Sequence, residues 1–276
     1  MHSIPNRLAA IATVLAAAAA LAGLAISGLY VDAPNWVQQA RGTDLATLFL
    51  SVPVLAVGLW TAGRGSQAGQ LAVVAGLLYL VYNYAIFAFS VAMNPLTTLH
   101  IAIFGLALWS LVLGGRDLVD GSAGVTERLP RRVSGGFLVG VAGLFGLLWL
   151  SQIAATSITG VLPPDLAKAG ISSNPVYPLD LGVFLPLCAV AGIGLIRRTS
   201  AAALAFPMLV WVALMGAGVV GGFLVIAAAG DQIAVPVVGL ITIVSLVSSA
   251  LAAVALVPRP RPSASGTPVG TVQAER

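Results

Sequence analysis

Eight long, nearly charge-free apolar runs dominate this chain, and no water-soluble fold could hide them. A helix needs about 20 mainly apolar residues to cross ~30 Å of hydrocarbon. Runs of that kind recur near 8–30, 44–62, 69–92, 95–114, 133–155, 179–196, 200–229 and 232–256. Only 8% of the 276 residues are charged, against about 25% in a soluble domain, too few to cover a water-facing surface. The expectation is an all-α fold, a polytopic transmembrane helix bundle of about eight spans. Only Met93, Asn94 and Pro95 separate the third and fourth spans, which predicts a tight helical hairpin. Pro207 in the long seventh span predicts tilt or a kink.

Basic loop residues orient such a bundle. Arg7, Arg64, Arg116, Arg128, Arg131, Arg132, Arg197, Arg198, Arg259, Arg261 and Arg276 fall on one side, and only Arg41 and Lys168 on the other. The asymmetry requires an even number of spans and predicts cytoplasmic N- and C-termini in a bacterial-type plasma membrane. The first run exceeds the about 7–15 apolar residues of a signal-peptide core, so it reads as a retained span.

The organisation expected is a four-span unit over 1–114, a cytoplasmic linker over 115–132, a second four-span unit over 133–257 and a disordered tail over 258–276. The tail is rich in Pro, Ser, Gly and Thr without apolar periodicity. The two units read as parallel repeats. Pro34–Gly42 and Pro164–Gly170 each suggest a short helix stopped by a left-handed glycine. Asp44-Leu45 and Asp180-Leu181 follow, then Gly58-Leu59 and Gly194-Leu195 at the same offset. At that offset Tyr82-Asn83-Tyr84 corresponds to Gly218-Val219-Val220, within the glycine-rich stretch 216–222. Those glycines suit close helix packing, or leave room for an apolar guest beside the tyrosines. Gly136, Gly140, Gly143 and Gly146 read as a packing face of the fifth span.

The residues that attract attention are few. The third span carries Tyr79, Tyr82, Asn83 and Tyr84, and Asn83 falls near mid-membrane, where an amide must point into the bundle. Interhelical glue is its default role and a ligand contact the alternative. His100 lies inside the fourth span, as a structural histidine or a pH-dependent donor near the outer face. Asp44 and Asp180 are expected at helix N-termini, as caps or as a gate with Arg41 and Lys168. Tyr30, Trp36, Trp149 and Tyr177 on one side, and Trp60 and Trp109 on the other, read as interface belts.

The sequence also excludes much. Lys168 is the only lysine and lies in a loop, which removes a retinal-type Schiff base. A single cysteine, Cys188, allows neither an intramolecular disulfide nor a thiolate metal cluster. No catalytic, cofactor-binding or metal-binding motif is present, and the net charge of +4 serves topology and anionic lipid, not nucleic acid. Beyond the lipid bilayer itself, the partner expected is a small apolar or amphipathic molecule, bound or transported. Its site would be built from Tyr79, Tyr82, Asn83, Tyr84 and His100, with Arg41, Asp44 and Asp180 near the entrance. The alternatives are a membrane-embedded enzyme or redox accessory acting on a lipid or quinone, and a scaffold or assembly subunit of a membrane complex.

Overall fold

The computed structural model describes residues 4–120 and 123–257. The tail at 258–276, for which disorder is expected, lies outside the described residues. Among the described residues all regular structure is helical, and eight helices are long and apolar enough to cross a membrane. They are α1 (Ile4–Ala25), α2 (Pro34–Ala62), α3 (Gln67–Phe89), α4 (Thr97–Gly115, continuing as helix to Asp120), α5 (Arg131–Thr159), α6 (Val176–Arg197), α7 (Ser200–Ala228) and α8 (Val235–Leu256). The chain is a multi-pass membrane protein.

Two boundaries depart from the apolar runs. α1 stops at Ala25, and Gly28 turns the chain with a φ of 73°, so Leu29 and Tyr30 leave the span. α2 begins ten residues before its apolar run. Pro34 occupies the first turn, where its missing N–H costs nothing. Gly42 stays inside this helix and stops nothing. A Cβ on it would lie 2.2 Å from the Gly222 backbone, so Gly42 is where α2 and α7 cross in near-contact. By contrast Gly170 ends the short helix Pro164–Ala169 at a φ of 67°, as the sequence suggests. Pro207 produces no kink in mid-span. A 3₁₀ turn at Ser200–Leu204 precedes it, and the proline sits in the first turn of the helix Ala205–Ala228.

The interior is organised around α3, which buries 78% of its most apolar stretch; no other span exceeds 44%. It packs on α2, α4 and α7. α1 lies against α4 and α2 through an alanine stripe comprising Ala9, Ala12, Ala16 and Ala19, α8 covers α7, and α5 lies on α6. The two halves pack differently: α1 rests on α4, whereas α5 and α8 share no comparable contact. Gly136, Gly140 and Gly143 on α5 meet no neighbour within 4 Å, whereas Gly135 crosses α6 at Gly192. Between the halves, the short helix Ala123–Thr126 buries Val125, and Leu129 is buried three residues beyond it.

The bundle has two chemically distinct ends. Alternating spans bring Arg7, Arg64, Arg128, Arg131, Arg132, Arg197 and Arg198 to one, where Arg131 donates to the Leu195 and Ile196 carbonyls. At the other end Asp32 accepts from the Ala92 amide at 2.9 Å and Asp231 from Gln38 at 2.9 Å. We call these the arginine-rich and the acidic end.

Candidate functional site

Two spans contain a π-helical segment, and each carries a buried aspartate at the segment or just before it. In α2 the backbone widens to a π-helix over Thr47–Ser51; in α6 it does so over Asp180–Phe184. Each widening ends just before a proline. Pro53 has no N–H for the Phe49 carbonyl and Pro186 none for Gly182, and each ring would crowd that carbonyl in a regular helix. The preceding residue reaches one position further back instead: Val52 donates to the Thr47 carbonyl and Leu185 to that of Asp180. Single π turns inside α-helices recur at functional sites.

Asp44 lies ten residues into α2, about 15 Å along the helix, where polar first turns give way to the apolar remainder. It is 2% exposed and caps no helix end. Its Oδ2 accepts a 2.8 Å hydrogen bond from the Tyr30 hydroxyl. Room for the pair comes from Gly23 on α1, where a Cβ would stand 2.0 Å from Oδ2 and 2.5 Å from the Tyr30 oxygen. Burial, and then the adjacent carboxylate of Asp44, push the Tyr30 hydroxyl far above the ordinary tyrosine range. Tyr30 is therefore a buried donor and not a member of an interface belt. Arg41, one turn before Asp44, has a buried Nε without a hydrogen-bond partner.

Asp180, 7% exposed, is the fifth residue of α6. Its Oδ2 accepts from the indole Nε1 of Trp149 on α5 at 2.7 Å, and the Tyr82 hydroxyl of α3 faces the same carboxyl. Trp149 thus has a specific polar partner beyond any belt function. Trp60 and Trp109 are 62% and 57% exposed and keep the belt reading at the opposite end.

The polar-aromatic patch of α3 divides among several neighbours. Tyr79 faces α2, meeting the Thr47 hydroxyl at 3.3 Å and the Thr43 carbonyl at 3.4 Å. Tyr82 packs edge-on against Phe184 and Trp211, at 5.0 and 5.6 Å between ring centroids. Tyr84 donates to the Ala16 carbonyl of α1 at 3.3 Å. Asn83 donates to the Tyr79 carbonyl of its own helix at 3.0 Å and to the Met215 sulfur of α7 at 3.4 Å. His100, 1% exposed, stacks among Phe87 and Tyr84 at 4.7 and 5.7 Å, and its Nδ1 has no partner. The glycines of α7 pack beside Tyr79 and α2. A Cβ on Gly218 would meet Ala46 at 3.5 Å and the Tyr79 hydroxyl at 3.7 Å, and one on Gly222 would meet Gln39 at 3.6 Å.

Open volume lies elsewhere. At the acidic end a groove of about 410 Å³ runs between the last turn of α3 (Ala85, Phe89 and Ser90) and the approach to α6 (Ser173, Pro175, Pro178 and Leu179). Asp180 directly follows its Leu179 wall. None of the eight residues singled out from the sequence lines this groove. Its signal in the sequence is slight: two serines among prolines and apolar residues, far apart in the chain. Among the described residues no group of three or more His, Cys, Asp or Glu is placed to hold a metal ion. Comparison with protein-family models, with curated proteins and with solved structures finds no match.

Proposed function

We propose that this membrane protein binds, and moves between the membrane and its acidic side, a small apolar or amphipathic molecule that enters the groove between α3 and α6. The observation that carries the reading is the groove itself. Its walls are largely apolar with two serine hydroxyls, its volume falls within the about 300–1,000 Å³ of small-molecule sites, and the Asp180–Trp149–Tyr82 cluster stands behind one wall. By sequence the acidic end carries Asp32, Asp44, Asp165, Asp180 and Asp231 against Arg41 and Lys168, a balance that favours neutral or cationic ligands. In this reading Tyr82 and Asp180 position the groove. Tyr79, Asn83, Tyr84, His100, Arg41 and Asp44 form the packed interior beside it. By the distribution of arginines, the arginine-rich end faces the cytoplasm of a bacterial-type cell, with both termini there. The matching Asp-Leu and Gly-Leu pairs of the two halves, each with a proline-terminated π segment, support descent from one four-span unit.

The test is the mass of whatever copurifies with the full chain in mild detergent. A defined bound mass in the unmodified protein is expected to be lost in Ser173→Trp, which fills the groove from an exposed loop position. It is expected to persist in Asn83→Leu. Loss in Asn83→Leu with retention in Ser173→Trp would move the site into the α3 interior and refute the groove.

A further inference from the structure

At the arginine-rich end a smaller cavity, of about 180 Å³, opens between the start of α1 and the end of α2, lined by Asn6, Arg7, Ala10 and Leu59. Its two parts differ in chemistry. Asn6 and Arg7 bring an amide and a guanidinium from the first described turn of α1. Ala10 and Leu59 form an apolar wall deeper along the helices. Arg7 is exposed, and among the described residues no hydrogen bond or ion pair occupies its guanidinium. Trp60 follows Leu59, is exposed, and has the Arg64 guanidinium 3.5 Å over its ring. An exposed tryptophan paired with arginine marks the headgroup level of a bilayer, so the cavity opens where lipid phosphates lie.

We propose that this cavity is a binding site for an anionic phospholipid, its phosphate held by Arg7 and Asn6 and the start of an acyl chain laid along Ala10 and Leu59. A guanidinium matches phosphate oxygens with two parallel hydrogen bonds, and basic pockets between spans hold acidic headgroups in this way. Selection against zwitterionic lipid follows from the lining. Among the described residues no acidic side chain lines the cavity, so a choline ammonium finds no partner there. The site lies at the opposite end of the bundle from the α3–α6 groove and does not depend on it.

The experiment is native mass spectrometry of the full chain, titrated with phosphatidylglycerol or phosphatidylcholine of identical acyl chains, with inorganic phosphate as a third arm. Phosphatidylglycerol is expected to bind several-fold more tightly than phosphatidylcholine, whose ammonium finds no partner. Arg7→Gln removes the phosphate contact common to both lipids and is expected to weaken each about tenfold, the scale of one charge-assisted contact. Arg132→Gln, an exposed arginine at the same end on α5, leaves both affinities unchanged, and Ala10→Phe weakens both lipids by filling the apolar wall. Equal affinity for the two lipids, or equal losses in Arg7→Gln and Arg132→Gln, would overturn the proposal in favour of diffuse charge attraction. Competition by inorganic phosphate at concentrations matching the lipid would overturn it in favour of a free-anion site.

Discussion

Substituting one hydrogen of Gly23 by a methyl group tests the Tyr30–Asp44 pair without touching either residue. The added Cβ would lie 2.0 Å from the Asp44 Oδ2 and 2.5 Å from the Tyr30 oxygen. Cβ contacts under 3.0 Å essentially never occur, so the carboxyl must retreat by about 1 Å, from 2.0 to at least 3.0 Å. A shift of that size breaks a 2.8 Å hydrogen bond. The lost bond, made to a carboxylate in a buried setting, costs about 1.5–3 kcal/mol, and overpacking the α1–α2 interface adds about 1–3 kcal/mol. Gly23→Ala is therefore expected to destabilise by roughly 2–5 kcal/mol net of less than ~1 kcal/mol of helix propensity gained. At about 2–4 °C per kcal/mol that corresponds to an apparent Tm lowered by roughly 4–20 °C. The assay is thermal unfolding of detergent-purified protein followed by size-exclusion chromatography. Gly136→Ala serves as the reference, because it lies on a helix where a Cβ meets nothing within 4 Å. In Tyr30→Phe the hydrogen bond is already absent, so adding Gly23→Ala there should cost less than in the unmodified chain. Equal melting of Gly23→Ala and Gly136→Ala would refute the close approach and the structural role assigned to the pair.

Three further outcomes follow from the same structure. Gly42→Leu drives a side chain into the Gly221–Gly222 backbone of α7; separation of α2 from α7 is expected, seen as loss of a monodisperse peak, whereas Gly63→Ala, with nothing closer than 3.4 Å, should leave the peak unchanged. Trp149→Phe removes the indole donor of Asp180 and is expected to cost about 1.5–3 kcal/mol; the same substitution in an Asp180→Asn background should cost less, and equal costs would show that the two side chains are uncoupled. The raised pKa of Tyr30 has a defined sign in stability: the folded chain keeps the hydroxyl proton that an unfolded chain releases near pH 10, so stability falls as pH rises beyond that value. Tyr30→Phe should show a shallower alkaline decline, measured as apparent Tm between neutral and alkaline pH, and an unchanged slope would contradict the buried donor.

The spans were legible because hydrocarbon imposes a length and a composition on every crossing, and eight runs satisfy both. What escaped was decided by contacts between distant segments. Gly42 looks like a helix stop because glycine tolerates a positive φ, but α2 uses it for the missing side chain that lets α7 approach. Pro53 and Pro186 are visible in the sequence and announce broken hydrogen-bond ladders, yet whether a helix kinks, ends or widens there depends on its packing. Tyr30 and Trp149 have the amphipathic character of belt residues, and only the fold brings Asp44 and Asp180 to their polar atoms. The α3 patch could be partly resolved from helix geometry alone. Tyr82 and Tyr84 are two residues apart and point about 200° away from each other, so they were bound to serve different neighbours. The groove at the end of α3 left almost no trace, because its lining comes from two segments about 85 positions apart and carries no distinctive chemistry.

The two halves of the polar interior meet at α3. Its Tyr79 holds α2 beside the π segment that follows Asp44, through Thr43 and Thr47, and its Tyr82 reaches Asp180 at the start of the π segment of α6. Interhelical hydrogen bonds of this kind contribute only about 0.6–2 kcal/mol each, so they hold the two irregular helices in place without welding them. The groove begins where α3 ends, at Phe89 and Ser90, and its far wall is the turn of α6 that leads into Asp180. Leu179, which lines the groove, immediately precedes Asp180, so a backbone shift of this turn moves the wall and the carboxyl held by Trp149 together. The width of the groove is therefore coupled to a buried polar contact that does not line it. A ligand seated between α3 and α6 would act on that contact through the backbone of a single turn.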